Sequence, residues 1–515
     1  MKKTFFLCIV ACILACSCKP TASDYRVKAE QGDSVAQYNL GRCYYFGDGV
    51  EQDFEQAVYW LNKAAERGVA ESQYGLGVCY YHGEGVEQDF EQAVYWFRKA
   101  AEQDNAESQY NLGICYFYGN GVEQDYTQAT SWYRKAAEQE HSMAQYNLGL
   151  CYHHGNGVEQ DYTQAFYWFE KAAKQKDADA QFSLGLCYGE GFGVEQNYKQ
   201  AVKWYRKAAK QNHADAQNSL GFCYYYGQGI TQNYRRALKW YRKAANQELA
   251  EAQYNIGTCY YYGNGVKQDF KQAVYWHSKA AEQGHDGSQH RLGACYSMGD
   301  GIIQDYTKAL YWYRKAAEQG NAKSECNIGL CYYNGDGVEQ DFEQAIYWFE
   351  KSAKQGCEDG QYQLGLCYYK GEGVAQDSEQ AIYWCHKAAL QGNVHAQNNL
   401  GYSFAEGEGV TQNYEEAVYW FEKAAKQGDM FAQNYLGYFY FKGMGVKTDY
   451  KQAVYWLRKA AEQGFADAQL NLGVAYYHGD GVRQSNKQAI YWFRKAAEQG
   501  NENAQRGLEE LLKGK

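Results

Sequence analysis

The sequence predicts an all-α fold: an α/α superhelical solenoid of thirteen 36-residue helix-turn-helix repeats with a C-terminal capping helix. Three observations carry that prediction. The thirteen tryptophans, from Trp60 to Trp492, each follow the last by 36 residues without an insertion. Each period contains two stretches consistent with helices, the second with apolar residues at spacings of three and four, the spacing of one helical face. A Gly-x-Gly turn separates the two stretches in every copy, from Gly47-Asp48-Gly49 to Gly479-Asp480-Gly481. A fixed period of this size with helical content implies stacked units that touch only their neighbours. A chain of 515 residues is then one array, not the three or four domains its length would otherwise imply.

The elements follow in chain order. Lys2 and Lys3 precede an apolar run from Phe5 to Leu14, too short to cross a bilayer, so residues 1–15 read as an export signal. Ile13-Leu14-Ala15-Cys16 resembles a bacterial lipobox. That resemblance implies acylation of Cys16, with Cys18 as the alternative acceptor and an ordinary secretory cut near Ala15 as the other reading. The expected location is the cell envelope, with membrane contact through the anchor only, or outside the cell if no anchor forms. Residues 16–33 are a linker and an N-terminal half helix, since Lys28-Ala29-Glu30-Gln31 echoes Lys99-Ala100-Ala101-Glu102-Gln103.

The repeats occupy residues 34–501, and the first spans 34–69. Its first helix, Ser34 to Phe46, carries Tyr38, Leu40, Tyr44 and Tyr45 and stops at Gly47, where glycine suits a left-handed cap. Val50, or Ile in other copies, is placed to pack back on that helix. Asp53 then caps a second helix running through Ala57, Trp60, Leu61, Ala64 and Ala65, with Gln56 three residues later in a capping-box pattern. Arg236 and Lys308 interrupt that pattern in two copies. A glycine inside every first helix, from Gly41 to Gly473, costs about 1 kcal/mol relative to alanine. Its recurrence predicts a close helix crossing, with Ala57 or its equivalent facing it. Residues 502–515, with Leu508, Leu511 and Leu512 beside Glu509 and Glu510, are the polar capping helix.

Leu-Gly-x-x-Tyr, Gly-x-Gly-Val, Asp-[Phe/Tyr]-x-x-Ala and Trp-[Phe/Tyr]-x-Lys-Ala-Ala together resemble the Sel-1-like repeat, a relative of the tetratricopeptide repeat, over residues 34–501. The resemblance implies adaptor work in protein complexes, with the first helices lining a concave face. Family members often place a proline after the Gly-x-Gly-Val turn. The only proline here is Pro20, so a less stiff turn is expected. Cysteine-rich members staple the two helices of a unit with cysteines seven residues apart, a spacing absent here. Some relatives carry a penicillin-directed hydrolase activity. No nucleophile motif for it can be distinguished here, and the protein is not expected to be an enzyme.

Ten cysteines follow the same period, from Cys43 to Cys367, and read as small buried thiols. Equivalent positions in stacked helices lie on the order of 10 Å apart, beyond the roughly 7 Å a disulfide permits. Cys326, Cys357 and Cys385 fall off this comb, and Cys385 is a candidate partner for Cys367. Cys79 with His82, and Cys151 with His154, share helical faces but lack two further zinc ligands. No metal or other cofactor is expected. His141, His213 and His285 recur in loops between units, two units apart. The formal charge of −10 and the lack of a contiguous basic block argue against nucleic acid.

Binding is expected on the first helices, at the positions of Tyr38, Tyr45 and Phe46. The candidate contact residues are Tyr45, Tyr81, Tyr225, Tyr226, Tyr261, Tyr262, Tyr333 and Tyr369, densest at mid-array. Tyrosine combines broad contact area with a hydrogen-bonding tip and little rotamer entropy to lose. The expected partner is a protein or extended peptide, with cell-wall or surface glycan as the alternative.

Overall fold

The computed structural model describes residues 21–513; the leader with Cys16 and Cys18 lies outside them. Among the described residues there are 28 α-helices, from α1 (Ala22–Glu30) to α28 (Glu502–Lys513), and no strand. From α2 (Ser34–Phe46) and α3 (Phe54–Glu66) onward, each repeat adds one even-numbered first helix and one odd-numbered second helix. The chain forms two compact units, one ending at Leu249 and one starting at Ala250. Within each unit, helix pairs stack in sequence as a solenoid. In the second unit, successive first helices such as α18 (Ala322–Asn334) and α20 (Glu358–Lys370) approach one another directly, which makes them the inner layer.

Local chemistry fixes the helix ends. The Asp33 carboxylate accepts from the Val35 and Ala36 amides at 2.9 and 3.0 Å. Gly47 ends α2 in the left-handed region, φ 77°, and its N–H bonds the Cys43 carbonyl. The second glycine of the turn has an additional reason. A Cβ on Gly85 would lie 2.2 Å from the carbonyl oxygen of Phe54 in the preceding repeat. Asp53 then accepts from the Gln56 amide at 2.9 Å. The turn is braced without proline. Gln52 donates to the Tyr45 carbonyl at 2.8 Å, and the equivalent glutamine does so in the other copies except at Thr448.

The helix-interior glycine does mark the crossing, but its main neighbour is not the Ala57 side chain. A Cβ on Gly41 would meet Leu61 at 2.9 Å, and the Ala57 carbonyl oxygen at 3.2 Å. In most other repeats the Leu61 position holds a ring, such as Phe169 packed on Gly149 or Tyr241 on Gly221. The residue after tryptophan therefore fills the crossing inside its own repeat. The tryptophan joins its repeat to the preceding one: Trp168 packs with Tyr133, Leu148 and Cys151, and Trp204 with Phe169, Leu184 and Cys187.

Buried glutamines form a second join between repeats. Gln145 donates to the Ala137 carbonyl at 3.0 Å, and Gln175 donates to the Gln145 side-chain oxygen at 2.9 Å. The same two bonds recur along each unit. Glu325 alone replaces the glutamine. It is fully buried, accepts from Gln355 at 2.6 Å, and lies 2.9 Å from Lys351 Nζ, an ion pair off hydrogen-bonding direction.

The comb cysteines among these residues are buried free thiols. The Cys367–Cys385 pair does not form. Cys385 sits on Gly365 and packs with Leu400 and Trp420, whereas Cys367 packs with Cys326, Phe349 and Leu364. In the last pair, α28 lays Ala504, Leu508 and Leu511 against Phe493 of α27 (Asn486–Glu498).

Candidate partner-binding surface

The first helices present two neighbouring rows with different roles. In the row of Tyr45, rings are half-buried and several phenols bond to the next repeat's Gly-x-Gly turn. Tyr45 donates to Glu84 and Tyr333 to Glu372. Tyr261 donates to Asp300 at 2.9 Å and Tyr369 to Glu408 at 3.1 Å, while Tyr81 accepts from Asn120 at 2.9 Å. Burial, and then the bond to Asp300, pushes Tyr261 up to about 12. These phenols stay neutral and tie repeats together. Tyr225 packs edge-on between Tyr226 and Tyr234.

The next row projects outward. Tyr118, Tyr226 and Tyr262 are 66%, 58% and 52% exposed. Identity in this row changes from copy to copy, through His82, Tyr118, His154, Glu190, Met298 and Lys370. Tyr225 and Tyr226 belong to the first unit, Tyr261 and Tyr262 to the second. In the second unit, the Arg291 guanidinium lies 6.0 and 5.8 Å from the ring centres of Tyr261 and Tyr262. In the first unit, a hollow of about 420 Å³ opens between rows, walled by Tyr74, Tyr81, Tyr110, Ile114 and Tyr118 with Asn111 beside them.

The recurrent histidines are inter-repeat caps. His141 Nδ1 accepts from the Ala144 amide at 3.1 Å, so its proton sits on Nε2, 3.3 Å from Glu107 of the preceding repeat. His213 and His285 repeat this with Asp179 and Glu251. Cys79 is buried while His82 is exposed, so that pair does not converge.

Two surface features escaped the sequence reading. The second helices carry their own tyrosine comb, in which Tyr59, Tyr95, Tyr275, Tyr347 and Tyr491 are 46–57% exposed. Each packs edge-on against the adjacent tryptophan, as in Tyr59–Trp60 at 5.0 Å. A lysine often lies over both rings, as Lys63 does. The signal was present in the sequence as the tyrosine before ten of the thirteen tryptophans. The second feature is a cluster of cations. Helices α11 (Tyr198–Lys210) and α13 (Tyr234–Ala245) carry ten lysines and arginines between them, all exposed, and no carboxylate. Alanines and rings interrupt them in sequence, so no contiguous block exists, yet the helix brings Lys199, Lys203, Arg206 and Lys210 to one face.

Comparison with known proteins agrees with this architecture. The Sel1 repeat family model matches thirteen segments, beginning with 34–69 and ending with 466–501. The crystal structure of a protective antigen from uropathogenic Escherichia coli, displaying an SLR fold, is 37% identical, with a TM-score of 0.68. That match covers 89% of this chain and 97% of the antigen. A Sel1 repeat protein from Oxalobacter formigenes is 34% identical over 60% of this chain and 90% of its own, with a TM-score of 0.46. Among curated proteins, a putative sel1-like repeat-containing protein of Acanthamoeba polyphaga mimivirus is 42% identical over 40 residues, only 8% of this chain and 7% of that protein. With thirteen matched repeats in register and helix pairs stacked at the same period, the chain belongs to the Sel1 repeat family.

Proposed function

We propose that the protein is an extracytoplasmic scaffold that binds other proteins through the inner face of its first helices. The protein-interaction role is the general one of Sel1 repeat solenoids. The observation that supports this inner face is the division of labour between its two rows. The Tyr45 row is tied into the framework, and the adjacent row of Tyr118, Tyr226 and Tyr262 is exposed and varied beside an apolar hollow. A scaffold needs that combination: constant residues hold the repeat geometry and variable ones meet a partner as aromatic anchors in pockets. Export and acylation of Cys16, or of Cys18, would hold the solenoid at the envelope.

The test is capture of envelope and host proteins by the mature chain beside a His82, Tyr118, Tyr226, Tyr262→Ala version. These positions lie outside the inter-repeat tyrosine bonds described above, so helicity by circular dichroism should match. Proteins retained by the first and lost by the second support the reading. Equal retention by both refutes the inner-face assignment.

A second reading is favoured by the outer comb. Evenly repeated, half-exposed tyrosines backed by tryptophan are suited to stacking on successive sugars of a glycan. Sedimentation with purified peptidoglycan, lost on replacing outer tyrosines, would support it.

A further inference from the structure

We infer that the hollow over Cys385 is a binding site for one monocyclic aromatic ring, carried by a phenylalanine of a peptide partner. The origin of the ring rests on the protein-binding reading above; the ring site itself does not.

The residue after each tryptophan covers the glycine at the helix crossing. In the repeats on either side of Cys385 it is phenylalanine. Phe349 would touch a Cβ on Gly329 at 2.6 Å, and Phe421 one on Gly401 at 2.6 Å. Both rings are fully buried. At Gly365 the nearest side-chain atom is Cys385 Sγ, at 2.8 Å. The sulfur fills the near edge of the ring position and leaves the far part open. A hollow of about 200 Å³ results between α20, α21 (Ser378–Leu390) and α22 (Val394–Glu406). An apolar cavity of about 150 Å³ is enough to take benzene.

In the first repeat the residue after tryptophan is Leu61, again not a ring, and a hollow of about 140 Å³ also opens beside it.

The walls decide the ligand class. Leu366, Ala381, Ile382 and Leu400 are apolar. Charged groups at the rim are already engaged: Lys370 with Tyr333 and Glu372, and Glu408 with Tyr369. Burial pushes the Cys385 thiol up to about 12, so the floor is uncharged. An uncharged ring regains the contacts that Phe349 and Phe421 make in their own repeats. The Ser403 hydroxyl and Asn399 carboxamide stand at the rim where the backbone of a bound peptide would pass.

Saturation-transfer NMR on the full mature chain tests this with two probes, toluene as the free ring and N-acetyl-phenylalaninamide as the peptide-borne ring. Four proteins are compared: wild type, Cys385→Ala, Cys385→Phe and Cys385→Leu. Both probes should receive saturation from wild type and Cys385→Ala. Cys385→Phe should reduce transfer at least tenfold, because its own ring occupies the site as in the flanking repeats. Cys385→Leu, a side chain already used at Leu61 and Leu457, gives a second partial fill and should fall between. Transfer that is absent from wild type, or unchanged in both filled variants, overturns the ring site. Transfer to toluene but not to the amide overturns the peptide origin. Loss of partner capture with retained toluene binding counts against the scaffold reading and leaves the ring site standing.

Discussion

Gly149→Ala tests the packing rule on which each repeat depends. A new Cβ would stand 2.6 Å from both Cδ1 and Cε1 of Phe169, against an ordinary contact of 3.4–4 Å. The ring must retreat by about 1 Å, and it is 2% exposed, enclosed by Ala165, Leu184 and Trp204. Overpacking of this kind costs about 1–3 kcal/mol. Alanine returns about 1 kcal/mol of helix propensity. The expected net effect is a loss of about 1 kcal/mol in the repeat built from α8 (Ser142–His154) and α9 (Tyr162–Lys174). Gly189→Ala is the control. It is also a buried helical glycine, but its Cβ meets only the Tyr205 hydroxyl at 3.2 Å and Ala201 at 3.9 Å. That change should be neutral or stabilising by up to about 1 kcal/mol. Because stability in repeat arrays is local, native-state hydrogen exchange of the affected helices is the assay, supported by urea unfolding. If Gly149→Ala exchanges as slowly as wild type, or more slowly, the ring-on-glycine account is wrong.

Three further outcomes follow from named contacts. Gln145→Met keeps the volume but removes two hydrogen bonds, leaving the Ala137 carbonyl and the Gln175 amide with their bonds to the Glu140 backbone, so exchange in the two adjoining repeats should accelerate by about 1–3 kcal/mol of lost stability. At Glu325, Lys351→Met should destabilise by about 3 kcal/mol by leaving a buried charge uncompensated, whereas Glu325→Gln restores the ladder's amide donor and should be neutral or stabilising. Burial, helped by Arg291 and His285, pushes His277 from its ordinary 6.5 down to about 3. The unfolded chain then takes up that proton first, so the stability linked to His277 is complete above about pH 6.5. It falls by about 1.4 kcal/mol per pH unit towards pH 3. His290, pushed down to about 4 chiefly by burial, adds a second slope. Urea midpoints of wild type and His277→Phe should therefore share one pH dependence above pH 7, and below pH 6 the variant should fall less steeply than wild type. An identical slope in both proteins would falsify the assignment to His277.

The period made most of the fold legible. Thirteen tryptophans in register gave the repeat, Gly47-type residues its first stop, and Asp53-type residues its second start. Equivalence between copies does not say which unlike positions meet, and that is where the reading fell short. The partner of Gly41 was Leu61, one turn beyond Ala57, because a longer side chain fills the crossing that a methyl group would leave open. The partners of the Tyr45 row lay 39 residues ahead in the next turn, an offset that no single-copy helical pattern encodes. The outer tyrosines were hidden by attention to the tryptophans beside them, and the cations of α11 and α13 by alanines that separate them in sequence but not on the helix surface. The hollow at Cys385 was readable only as an odd cysteine until its neighbours Phe349 and Phe421 showed what that position normally fills.

Partners are expected to meet the inner, not the outer, tyrosines. Hydroxyl-radical footprinting of the mature chain with a captured protein, read by mass spectrometry, separates the two. Tyr118 and Tyr226 on the inner helices, and Tyr59 and Tyr95 on the outer ones, all start solvent-exposed, so both sets report. The account predicts protection of Tyr118 or Tyr226 with Tyr59 and Tyr95 unchanged. Protection confined to Tyr59, Tyr95 and their outer equivalents would contradict it.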